Sequence, residues 1–77
     1  MVVYNFSKLR GKIVEVCGSQ DKFAREIGLV PRTLTAKLNN EVPFKVPDIE
    51  KSLAVLGLAR KDIPIYFFDV EPRKSEK

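Results

Sequence analysis

Arg32, Thr33 and Ala36 stand close together on a short amphipathic segment, and their side chains suit the edge of a base pair. A guanidinium can donate two hydrogen bonds to guanine O6 and N7, a threonine hydroxyl can serve a base or a phosphate, and an alanine methyl can pack on a thymine methyl. Groups suited to phosphate oxygens surround them. Thr35 and Lys37 lie on the shoulders of the same segment, Gln20 and Lys22 at the start of the preceding one, and Asn39, Asn40 and Lys45 just beyond. Catalytic chemistry has no comparable set. With no histidine, a single cysteine and no dense carboxylate cluster, neither general acid–base catalysis nor a metal site is expected. No cofactor is expected either.

The elements that must position these residues span Gln20–Leu38, two short helices about a turn at Gly28. Phe23, Ala24 and Ile27 give the first of them (Gln20–Ile27) an apolar face, with Ser19 as its N-cap. Glycine at 28 is free to take positive φ at the bend, and Pro31 is pre-set for the first turn of the next helix, Pro31–Asn39. With Leu34 as reference, Leu38 lies about 40° away and Pro31 about 60° away. The opposite side is centred on Ala36 and flanked by Arg32, Thr33, Asn39 and Asn40.

Before this pair, Phe6, Leu9, Ile13 and Val16 recur at spacings of three, four and three, one face of a helix. Ser7 is its expected N-cap, with Phe6 as a hydrophobic staple, and Gly18 its end. Gly11 weakens it by about 1 kcal/mol relative to alanine, which a close packing neighbour would explain. After the pair comes a loop, Glu41–Val46, and then a helix that Pro47 opens and Gly57 closes, with Ile49, Leu53 and Leu56 buried. Ala59–Ile63 reads as one more helical turn stopped by Pro64. Ile65–Phe68 is strongly β-favouring and is expected to be extended. Tyr66, Phe68 and Val70 would then face one way and offer a two-fold interface. Val2–Tyr4 could pair with this stretch as a short sheet.

The seventy-seven residues are expected to form one domain over 1–70, followed by a charged tail at 71–77. The net charge is +4, and residues 1–45 hold all of the excess, eight Lys/Arg against four acids. That asymmetry favours an anionic partner. Cys17, with no second cysteine to pair with, suits a reducing cytosol. No apolar run approaches the roughly 20 residues of a membrane span, and the start, MVVYNFSKL, is too short in its apolar part for a secretory signal. A cytoplasmic location is expected.

The spacing Gln-x-x-Phe-Ala-x-x-x-Gly-Leu-x-x-x-Thr-Leu, at Gln20, Phe23, Ala24, Gly28, Leu29, Thr33 and Leu34, resembles the helix-turn-helix of bacteriophage Cro and CI-type repressors. YNFSKLRGKIVEVCGSQ, KLNNEVPFK and DIPIYFF widen the resemblance to small Cro-like regulators of temperate phages and prophages. The resemblance implies an all-α, lambda-repressor-like domain of four to five helices. It also implies a homodimer on a palindromic, double-stranded operator, repression of transcription, and a part in the lysis–lysogeny decision. Position 30 departs from the pattern: Val30 stands where Ser or Thr commonly caps the helix. The alternative is an anti-repressor that uses the same fold to bind a second phage repressor. Retained Arg, Thr and Lys on the third helix argue against it.

Overall fold

In the computed structural model, which describes residues 3–70, the 3.6-residue periodicity becomes five α-helices: α1 (Ser7–Cys17), α2 (Gln20–Glu26), α3 (Pro31–Leu38), α4 (Val46–Leu56) and α5 (Ile63–Phe67). A 3₁₀ turn, Arg60–Asp62, leads into α5. The expected charged tail at 71–77 and Val2 of the expected N-terminal strand lie outside the described residues. The core joins Phe6, Leu9 and Ile13 to Phe23, Ala24, Ile27, Leu34, Leu38, Ile49, Leu56 and Phe67. Among the described residues no helix is long and apolar enough to cross a membrane.

The pair at the centre forms as its sequence dictates. Ser19 Oγ accepts from the Lys22 amide at 3.2 Å and starts α2. Gly28 takes φ +77°, a conformation that side chains disfavour. Leu29 N–H then reaches back to the Ala24 carbonyl at 2.8 Å, closing the turn. The start of α1 differs from expectation: Phe6, not Ser7, is the N-cap residue, and the Ser7 amide donates to Asn5 Oδ1 at 2.9 Å. Gly11 has no atom within 4 Å of where a Cβ would sit, so close packing does not account for it. Val16 also leaves the expected stripe. It is 46% exposed, while Cys17, four residues after buried Ile13, continues toward the core.

The largest difference lies at the C-terminal end. Ile65–Phe68 is not extended, and Pro64 does not stop the chain but occupies the first turn of α5. Ile63 and Phe67, four residues apart, turn to the core together. The expected sheet shrinks to one antiparallel bridge, Tyr4 with Val70. Asn40 holds the N-terminal arm beside it. Its side chain accepts from the Tyr4 amide at 2.9 Å and donates to the Tyr4 carbonyl at 3.0 Å, from a backbone at φ +65°. Asn40→Gly keeps that backbone accessible and removes both bonds. It is expected to cost about 1–2 kcal/mol in urea unfolding; unchanged stability would mean that the arm does not depend on the clamp.

Candidate functional site

The residues expected to meet DNA divide into an available set and a committed one. Arg32 is exposed on the first turn of α3, with Thr33 and Ala36 half-buried beside it. Lys22 and Lys45 are exposed and Gln20 is half-buried. Thr35, although exposed, donates its hydroxyl back to the Pro31 carbonyl at 3.1 Å.

Lys37 corrects the reading of it as a phosphate contact. It is 3% exposed. Its ammonium donates to the Pro43 carbonyl at 2.9 Å and lies 3.1 Å from Asp48 Oδ2, 5.8 Å from the centre of the Phe44 ring. It pins the loop before α4 and is buried out of reach of a phosphate on the surface. Burial of Asp48 acts to raise its pKa. The Lys45 amide, the hydrogen bond and charge of Lys37, and the charge of Lys45 outweigh that burial and leave the carboxyl below its ordinary value. Asn40 is likewise spent on Tyr4. Asn39 Oδ1 accepts from Arg10 Nη2 at 3.1 Å, and the same nitrogen donates to the Leu38 carbonyl at 3.2 Å. Arg10 thus caps the C-terminal end of α3, a role that its position on the polar side of α1 did not disclose.

Val30 is 64% exposed at the N-cap of α3 and makes no side-chain cap bond. The start of a helix meant to lie on phosphates therefore presents an isopropyl group. The residues expected to form a two-fold interface do not share one row either. Tyr66 packs against the core, whereas Phe68 and Val70 are 48% and 56% exposed. The helical turn of α5 breaks the alternation that an extended strand would have imposed. Phe68 instead stands edge-on to Tyr4, ring centres 5.7 Å apart, beside a cavity of about 310 Å³ that Phe6, Phe44 and Phe67 also line.

A family model described as a protein of unknown function, DUF739, matches residues 2–70. The chain belongs to that family. It is also similar to the modulator of repression (MOR) of the temperate bacteriophage TP901-1 from Lactococcus lactis. The two are 49% identical over 84% of this chain and 88% of that one, and the solution structure of MOR matches with a TM-score of 0.75. That relative is, by its name, a phage regulatory protein that modulates repression. A comparison with curated proteins gives no match. The likeness to MOR covers most of the chain and so extends well beyond the helix pair.

Proposed function

We propose that this chain is a phage regulatory protein that modulates repression by binding a repressor protein, the reading that was the alternative on sequence alone. The observation that carries it is the state of α3. Lys37 is buried against Asp48, and Val30 exposes an apolar group where a polar cap would meet phosphate. Phosphate contacts provide a large share of the affinity of DNA-binding domains, and here the helix retains one exposed cation, Arg32. The 49% identity to a modulator of repression points the same way. The chain acts by association in the bacterial cytoplasm and not by catalysis. Exposed Arg32 supports the second reading, direct operator contact, and one experiment separates the two.

The test is a gel shift with operator DNA and the repressor encoded by the same phage. The chain alone is expected to leave the DNA unshifted at about 1 μM, the tight end of non-specific binding. Added to a preformed repressor–operator complex, it is expected to displace or supershift that complex. A specific shift by the chain alone that Arg32→Ala abolishes would return α3 to the role of a reading helix.

A further inference from the structure

The end of α1, the outer face of α2 and the last turns of α4 enclose an open groove of about 430 Å³. Val16, Cys17 and Val55 line it together with Lys22, Arg25 and Glu26. Two features of its lining bear on what it could hold. Val16 is 46% exposed on a helix that buries Leu9 and Ile13, although a β-branched residue there weakens the helix and gains no packing in return. Lys22 and Arg25 are three residues apart on α2 and project to one side, and neither has an ion-pair partner among the described residues. The Cys17 thiol adds an uncharged group to the floor. Burial pushes its pKa up, the Glu26 carboxylate adds to this, and Lys22 opposes it.

We infer that this groove is the docking site for the repressor, taking an acidic segment that sets an apolar side chain over Val16 and Val55 and its carboxylates against Lys22 and Arg25. The inference rests on the reading that the partner is a repressor protein. Charge complementarity selects the occupant, since the charged lining of the groove is Lys22 and Arg25 against the single carboxylate of Glu26. A DNA strand could use Lys22 and Arg25, but a phosphodiester gains nothing from a valine floor. An acidic segment with an apolar anchor uses both the cations and the valines of the groove.

The test pairs the double variant Lys22→Glu/Arg25→Glu with alkylation of Cys17, the single cysteine of the chain, by iodoacetamide. Both substitutions are on exposed residues, so the melting temperature is expected to hold. Affinity for the repressor of the same phage is expected to fall at least ~30-fold, as when one side of a close interfacial charge pair is removed. Saturating repressor is expected to slow alkylation of Cys17 in the wild-type chain, and operator DNA alone is not. Wild-type affinity in the double variant together with an unprotected Cys17 would show that the repressor docks elsewhere. Loss of DNA binding with repressor binding intact would make Lys22 and Arg25 phosphate contacts and overturn the inference. A wild-type chain that does not bind the repressor at all would overturn the underlying reading as well, so the two failures are distinct.

Discussion

Lys37→Met is expected to lower the stability of the protein by about 3 kcal/mol, the cost of removing one member of a buried ion pair. Three groups lose their common centre. Asp48 keeps the Lys45 amide at 3.1 Å but loses the opposing charge at 3.1 Å, and the Pro43 carbonyl loses its donor. Methionine retains most of the apolar length that lies beside Phe44, so the loss is chiefly electrostatic. For a domain of this size it corresponds to a fall in melting temperature of roughly 12–24 °C. The double variant Lys37→Met/Asp48→Leu is expected to regain part of the loss, because an uncharged pair leaves no stranded carboxylate. Thermal and urea unfolding of the two single variants and the double one give the coupling directly. A Lys37→Met protein that melts within a few degrees of wild type would show that the pair does not secure the loop.

The same pair fixes a pH dependence. The Asp48 carboxyl titrates below its ordinary value when folded, because its hydrogen bonds and the Lys37 charge outweigh the effect of burial. A carboxyl depressed on folding contributes stability that is fully present above its unfolded pKa of about 3.9 and is lost as pH falls through the folded value. From this pair, stability should therefore be flat between neutral pH and about pH 5 and should decline below about pH 4. The gap between wild type and Lys37→Met should narrow over that acid window, since a protonated Asp48 no longer needs its partner.

The parts of the fold that were legible in the sequence are those governed by neighbours within a few residues. Ser19, Gly28, Pro31 and Gly57 mark helix ends by local chemistry, and each stands at such an end or turn in the structure. The burial of Lys37 is not legible locally, because it depends on Pro43 and Asp48, six and eleven residues onward. A helical wheel cannot show that a loop folds back over one shoulder of α3. The role of Asn40 is hidden for the same reason: its partner Tyr4 is 36 residues away. Val16 followed the expected spacing, but the stripe drifted to Cys17, which left a valine on the surface. Arg32, Thr33 and Ala36 were placed correctly on the helix, yet their geometry alone does not distinguish a DNA partner from a protein one.

Phe67→Ala is expected to cost about 3–5 kcal/mol, the range for deleting a buried phenylalanine and leaving its cavity, out of a total stability of order 5–15 kcal/mol. Phe67 is 2% exposed and stands edge-on to Phe44, ring centres 5.2 Å apart at 82°. Phe44 in turn meets Phe6 at 5.4 Å, so the ring closes a line of aromatics from the N-terminal arm to the C-terminal helix. The five residues of α5 are far too few to be helical in isolation, and the β preference of Ile-Tyr-Phe-Phe opposes them. What holds the helix is the burial of Phe67 with Ile63. This makes Ile65 the informative control. An extended strand would put Ile65 and Phe67 on one row and predict comparable losses for the two. In α5 Ile65 is 47% exposed, and Ile65→Ala is expected to change stability by no more than about 0.5 kcal/mol. Hydrogen exchange adds a local readout, because the Phe68 amide donates to the Pro64 carbonyl and should lose protection in Phe67→Ala before the amides of α2 do. Equal costs at positions 65 and 67 would mean that the β-favouring segment is a strand after all, with the aromatic line rebuilt around it.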